Sequence, residues 1–149
     1  MSLKTLVVSR VAEAITSAQR QDSARDKFEK ERQRQGARHR VDYFHQIDDP
    51  YGHLALQALD RFRSRYDVDL HVWLVGPPDD WAAPERDRLI SYAREDSAQL
   101  AKKSGFAFEY HGVQPAPEAV RAAQDQFSAV LGAEDFWPRA LSISKALWA

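Results

Sequence analysis

The chain has 149 residues, of which 44% are hydrophobic and 29% charged, and its formal net charge is -1 at pH 7. This length is enough for one hydrophobic core, since a folded domain of such a size buries roughly two-thirds of the surface that its unfolded chain exposes. The absence of cysteine excludes disulfide bonds, thiolate zinc sites and thiol–disulfide exchange by this chain.

The apolar runs are too short for a membrane segment. None approaches the roughly 20 residues that span a bilayer. The N-terminus also lacks the apolar stretch of about seven residues that a secretory signal requires. We therefore expect a cytoplasmic protein without a membrane partner.

The first predicted element is a long helix within an N-terminal arm, residues 1–40. Residues 3–35 contain neither proline nor glycine and begin with apolar side chains at helical spacing, which predicts a helix that ends at Gly36. Residues 20–40 hold eight Lys or Arg and four Asp or Glu, so this stretch carries a charge of +4. Because acids are interspersed among the bases, we interpret it as a solvated helix with local ion pairs and expect no nucleic-acid partner.

A strand, a helix and a second strand are predicted for residues 41–76. Residues 41–47 alternate as a strand does, with one face formed by Val41, Tyr43, His45 and Ile47. Asp49 followed by Pro50 indicates the start of a helix. Residues 68–74 alternate again, which completes a βαβ unit with parallel strands.

The remainder, residues 77–149, is predicted to be helical. The expected helices cover residues 84–105, 117–132 and about 135–148. The sequence has neither a Gly-rich phosphate loop nor a Gly-x-Ser-x-Gly element, so nothing in it supports nucleotide-dependent chemistry or serine hydrolysis.

The start of the βαβ unit resembles a known family. The run VDYFHQIDDPYGHL, residues 41–54, resembles the first strand and active-site turn of DsbA-like thioredoxin-fold proteins. That group includes disulfide oxidoreductases, kappa-class glutathione transferases and 2-hydroxychromene-2-carboxylate isomerases. Where its members carry Cys-Pro-x-Cys or Ser-Pro-Tyr-Ser, this chain has Asp49-Pro50-Tyr51-Gly52.

The resemblance implies an α/β fold, namely a partial thioredoxin-like βαβ unit with a DsbA-type helical insertion and a long N-terminal helix. In the family a β-hairpin preceded by a cis-proline closes the sheet after the helical insertion. No such hairpin is recognised after Trp137. The resemblance therefore implies that the chain stops before this fold is closed.

The 49–52 turn is the predicted ligand site. A helix N-terminus concentrates unpaired N–H groups and favours negative charge, so Asp49 is expected to cap the helix and to have a lowered pKa. The residues assigned to ligand binding are His45, Asp48, Pro50, Tyr51 and Gly52. Tyr43, Tyr51 and Trp73 are candidates to line a small-molecule cleft at the carboxyl ends of the strands, with a place in the core as the alternative.

Asp49 and His53 are the candidates for acid–base catalysis. The start of the helix favours the neutral imidazole that a general base requires. The alternative is that Asp49 only caps the helix and that His53 is a partly exposed helix residue. A metal site built from His45, Asp48, Asp49 and His53 matches no recognised ligand spacing, and no metal is predicted.

Three functions remain open at this level. The first is a DsbA-like domain without the redox CxxC that binds a small molecule or a peptide at the 49–52 turn. The second is an active isomerase or transferase that uses Asp49 and His53 and is completed by a missing C-terminal half. The third is an oligomerisation or scaffold module, since an unclosed sheet edge invites self-association into a homo-oligomer. No cofactor is predicted, although the resemblance leaves glutathione open.

Overall fold

The computed structural model describes residues 8, 13, 17–109 and 111–148. Its elements in chain order are α1 (Ala18–Gln35), β1 (His39–Gln46), α2 (Pro50–Arg65), β2 (Val68–Val75), α3 (Arg86–Ser104), α4 (Pro117–Val130) and α5 (Phe136–Trp148). The mixed α/β class predicted from the sequence is confirmed. Contacts divide the chain into two compact units, Met1–His39 and Arg40–Ala149.

The first unit contains α1, which ends where predicted because Gly36 adopts a left-handed conformation with φ 61°. No residue of α1 is buried. Ion pairs spaced three residues apart run along the helix: Arg25–Asp22, Arg32–Glu29 and Arg34–Glu31. The Arg32 guanidinium lowers the pKa of Glu29 to about 2. The continuous helix predicted for residues 3–35 is interrupted at Ser17, which is the N-cap of α1. Most of the chain before Ser17 lies outside the described residues.

In the second unit, β1 and β2 form a two-stranded parallel sheet. Side chains alternate along β1, so that His45 is buried while Phe44 is exposed on the opposite face. On the exposed face, the indole N–H of Trp73 in β2 donates a hydrogen bond of 2.8 Å to the carboxylate of Asp42 in β1. The predicted order of strand, helix and parallel strand is confirmed.

One hydrophobic core joins the sheet to the later helices. In this unit α5 packs against both α4 and α2, and α3 packs against α2. The buried cluster between these elements consists of Ile47, Leu56, Ala123, Phe127, Val130, Phe136 and Ala140. Tyr43 and Val72 from the two strands pack on the same cluster. Within the described ranges, no helix has the length and apolar character needed to cross a membrane.

Candidate functional site

A cleft of about 390 Å³ lies at the carboxyl edge of the sheet. One side is formed by the end of β1 and the start of α2, and the other by α3 and the segment that follows β2. Most of its lining is apolar: Pro50, Pro77, Pro78, Ala83, Leu89, Ile90 and Ala93. Asp48 and Asp49 also line the cleft. This is the edge at which open α/β sheets bind ligands.

Asp49 caps α2, as the sequence predicts. Its Oδ1 accepts a hydrogen bond of 3.0 Å from the backbone N–H of Tyr51, and Pro50 occupies the first helical position. The expected lowering of its pKa is wrong. Burial raises the pKa of Asp49, the Tyr51 N–H opposes this effect, and the neighbouring Asp48 carboxylate adds to it. Loss of water around the carboxylate therefore outweighs the favourable helix start.

Three hydrogen bonds hold the turn in place from both sides. The hydroxyl of Tyr51 donates to Oδ2 of Asp96 in α3 at 2.6 Å. The backbone carbonyl of Asp48 accepts from Nε2 of Gln114 at 2.7 Å, and the Asp48 carboxylate accepts from Gln46 at 3.0 Å. These hydrogen bonds fix the backbone at the mouth of the cleft.

His45, at the end of β1, and Gly52, in the first turn of α2, are not among the residues that line the cleft. The His45 side chain is 1% exposed, and its ring stacks on Phe127 with centroids 4.6 Å apart. The Tyr43 hydroxyl lies 2.9 Å from Nδ1 of His45 and donates to the carbonyl of Gly52 at 3.2 Å. Of the five residues assigned to ligand binding, His45 and Gly52 are therefore the two that do not line the cleft.

His53 is buried, which contradicts the expectation of a partly exposed residue: it is only 4% exposed. Its Nδ1 lies 2.8 Å from the Ser144 hydroxyl of α5, and its Nε2 lies 2.9 Å from the carbonyl oxygen of Ala107. Because a carbonyl oxygen can only accept, the proton belongs on Nε2, and Nδ1 then accepts from Ser144. Burial lowers the pKa of His53, against the opposing effect of the Ala107 hydrogen bond.

Of the residues predicted from sequence, the cleft brings together Asp48, Asp49, Pro50 and Tyr51. Trp73 lies on the exposed face of the sheet and does not line it. Across the described ranges, no group of three or more His, Asp or Glu residues is placed to hold a metal ion. The proposed acid–base pair is also separated, because His53 faces Ser144 and Ala107 while Asp49 faces the cleft.

Sequence reasoning missed the α3 wall, where Leu89 and Ile90 face the turn. It also missed Ser144 as the partner of His53. A signal was available in the second case, since Ser144 interrupts the apolar face of the last helix, where a hydroxyl needs a hydrogen-bonding partner.

Acidification is expected to destabilise the fold through His45. Burial, with a smaller contribution from His53, lowers the pKa of His45 from 6.5 to about 4. Below pH 6.5 the unfolded chain therefore takes up a proton that the folded chain does not, and the free energy of unfolding falls as the pH decreases. His45 alone should lower the free energy of unfolding by about 2 kcal/mol between pH 7 and pH 5. Urea denaturation at these pH values measures the loss.

Asp49 has the opposite effect on the free energy of unfolding. Its pKa is raised in the folded state, so its carboxylate takes up a proton at a higher pH in the folded chain than in the unfolded chain, and acidification stabilises the fold through this group. His53, whose pKa is also lowered by burial, adds to the effect of His45. An NMR titration of the His45 Cε1–H signal isolates the contribution of His45. A His45 signal that titrates at its ordinary value would contradict the prediction.

The DsbA-like fold that residues 41–54 led us to expect stays a prediction. The turn that carries it borders a cleft, and the helices that follow β2 supply the opposite wall. Comparison of the chain with models of protein families, with curated proteins and with solved structures found no match.

Proposed function

We propose that this chain is a DsbA-like thioredoxin-fold domain, without the redox cysteines, that binds a small molecule or a short peptide in the cleft beside the 49–52 turn. The place and lining of the cleft are the main support. Its volume of about 390 Å³ falls within the roughly 300–1,000 Å³ of small-molecule sites. In this proposal the two strands and α2 are the thioredoxin-like part, and α3 to α5 are the DsbA-type insertion.

The lining indicates a ligand with an apolar body and one hydrogen-bond donor. Prolines and α3 side chains supply the apolar surface. Asp49 uses Oδ1 to cap α2, and no hydrogen bond from a described residue engages its Oδ2. Arg86, on the other wall, already donates to the carbonyl of Pro78 and to Asp80. A ligand N–H or O–H group directed at Asp49 satisfies the remaining acceptor.

The same charge distribution disfavours glutathione. A bound glutathione would bring its carboxylates and its thiolate close to Asp48 and Asp49. A serine hydroxyl, which members of the glutathione-dependent branch carry at the position of Asp49, donates a hydrogen bond to that thiolate, whereas a carboxylate repels it. We therefore expect a neutral or cationic apolar ligand to bind more tightly than glutathione.

Replacing Leu89 with lysine tests the cleft. Burying part of a leucine side chain against a ligand is worth on the order of 1.5 kcal/mol, so Leu89→Lys should weaken binding about tenfold or more. Leu89 is 52% exposed, so the variant should fold. The matched control is Leu100→Lys, on the same helix, 42% exposed and outside the lining.

Suitable probes are indole, phenethylamine, a tripeptide, glutathione and glutathione disulfide. Calorimetry measures their affinities, and changes in the backbone amide chemical shifts locate the site where they bind. Binding in the cleft should change the amide chemical shifts of the 49–52 turn and of α3. Only the Leu89→Lys variant should lose affinity. The proposal fails if no probe shifts these amides, or if the two leucine variants bind equally.

The two alternatives have less structural support. An acid–base enzyme would need Asp49 and His53 to face one substrate, yet both nitrogens of His53 are engaged by residues outside the cleft. Unchanged turnover in the double variant Asp49→Ala, His53→Ala would exclude it. A scaffold role would rest on self-association of the exposed strand edges, and a monomer in sedimentation would exclude that version.

A further inference from the structure

The strand β2 has one edge without a neighbouring strand. Among the described residues the sheet consists of β1 and β2 alone, so β2 pairs with β1 on one side only. The strand covers Val68–Val75 and contains no proline, glycine or lysine. In the described ranges, no loop or turn forms a backbone hydrogen bond with residues 69–75. Proteins usually block such an edge with proline, lysine or a covering segment, since its free N–H and C=O groups pair with other strands.

A groove of about 440 Å³ lies beside β2. Three consecutive residues of the strand, 70–72, line it. Successive side chains of a strand point to opposite faces, so three consecutive residues border one space only where that space meets the strand edge. The facing wall is the connection between α4 and α5 with the start of α5, and it includes the apolar Leu131, Phe136 and Trp137 and the charged Glu134. The free edge of β2 therefore opens onto a groove and not onto a packed neighbour.

Side chains along β2 divide between the two faces of the sheet. Val72 packs against the buried cluster, and by alternation Val68 and Leu70 point the same way. Asp69 and His71 point to the opposite face, where their side chains are 58% and 43% exposed. Nε2 of His71 donates a hydrogen bond of 2.9 Å to Oδ2 of Asp69, while Oδ1 accepts none from a described residue. The edge strand thus carries a carboxylate and an imidazole, two residues apart, on its exposed face.

This pattern is self-complementary in an antiparallel pair. When β2 pairs with the same strand of a second copy about a two-fold axis at Leu70, each Asp69 lies directly opposite His71 of the other copy. On the core-facing side, the same register pairs Leu70 with Leu70 and Val68 with Val72. Moving the axis to residue 69 places two carboxylates opposite each other, and moving it to residue 71 places two imidazoles opposite each other. Facing groups of opposite charge stabilise paired strands and like charges destabilise them, so the axis at Leu70 is favoured.

The strand β1 carries a similar pair, Arg40 and Asp42, but this pair is already satisfied. Arg40 donates to both oxygens of Asp42, at 2.8 Å from Nη2 and at 3.0 Å from Nε. The indole of Trp73 donates to the same carboxylate at 2.8 Å. Asp69 has an oxygen left to accept from a second copy, and the groove lies beside β2. The edge of β2 is therefore the better match for such a partner.

We infer that two copies of this chain pair through the free edges of β2, antiparallel and centred on Leu70, to form a four-stranded sheet. Residues 68–72 of each copy form the interface, and the groove beside β2 receives core-facing side chains from the strand of the second copy. The cleft beside the 49–52 turn stays open, because no residue of β2 lines it. An interface this small is typical of weak complexes, so the dissociation constant should lie in the micromolar range.

Sedimentation velocity tests this pairing with two charge reversals. Asp69→Lys and His71→Glu each place like charges opposite one another, so each should weaken the dimer about tenfold or more. Mixed in equal amounts, the two variants should form a heterodimer, because every introduced charge then faces its opposite in the other chain. Loss of the hydrogen bond between Asp69 and His71 within one chain cannot produce this recovery. Both side chains are exposed, so the variants should fold, which circular dichroism checks.

Asp42→Lys on β1 is the matched control, and it should leave the dissociation constant within about twofold. The unmodified chain should change from monomer to dimer between low-micromolar and near-millimolar concentration, with changes in the amide chemical shifts of residues 68–72. An unmodified chain that stays monomeric, single variants that dimerise as the parent does, or a mixture that stays monomeric overturns the inference. A dimer that is lost in Asp42→Lys and kept in Asp69→Lys would place the interface at β1 and also overturns it.

Discussion

Replacing Phe127 with alanine is expected to lower the free energy of unfolding by about 3 to 5 kcal/mol. The side chain is 0% exposed and lies in the buried cluster shared by the sheet and the helices. Its ring stacks on His45 and meets the ring of Phe136 edge-on, with centroids 5.4 Å apart. The substitution therefore removes buried apolar area and two aromatic contacts, and leaves a cavity beneath the site.

Urea denaturation followed by circular dichroism measures this loss. The control is Phe44→Ala, which removes the same ring from the exposed face of β1. Its effect should stay below about 1 kcal/mol, because an exposed ring has little packing to lose. Similar decreases in the free energy of unfolding for the two variants would mean that Phe127 does not stabilise the core more than an exposed phenylalanine does.

Replacing Gly52 with alanine is expected to destabilise the fold by about 2 to 3 kcal/mol. Alanine normally stabilises a helix relative to glycine by roughly 0.5 to 1 kcal/mol, so the expected sign is the reverse of the usual one. A Cβ at this position would lie 2.8 Å from the backbone oxygen of Gln46 and 3.2 Å from Cε1 of His45. The backbone oxygen cannot rotate away, so the start of α2 has to move.

Gly76→Ala is the matched control, because a Cβ there would meet nothing within 4 Å. It should change the free energy of unfolding by less than about 0.5 kcal/mol. The Gly52 variant should also disturb the amide signals of the 49–52 turn, whereas the Gly76 variant should leave them in place. A Gly52→Ala protein as stable as the parent would show that the turn has room to adjust.

Features decided by neighbouring residues could be predicted from the sequence. Asp49 followed by Pro50 fixes a helix start through one carboxylate and one ring, and the structure places both as expected. Alternation along the strands predicted which side of β1 is buried. Gly36 ends α1 because a glycine readily adopts the left-handed conformation found there.

Features decided by distant residues could not be predicted in this way. His53 bonds to Ser144, 91 positions later, and Tyr51 bonds to Asp96, 45 positions later. The expectation that the pKa of Asp49 is lowered was wrong for the same reason. The local sequence shows the helix start, but it does not show the α3 wall that removes water from the carboxylate and raises its pKa. His45 and Gly52 lie next to residues of the cleft in the sequence but do not line it, because β1 and α2 bury them against the core.

The long-range bonds of α2 also have a consequence for the order of events during folding. The first turn of α2 is tied to α3 through Tyr51 and to α5 through His53. Closing such distant contacts is entropically expensive and slow. During synthesis on the ribosome, the hydrogen bond between His53 in α2 and Ser144 in α5 can therefore form only after α5 has emerged.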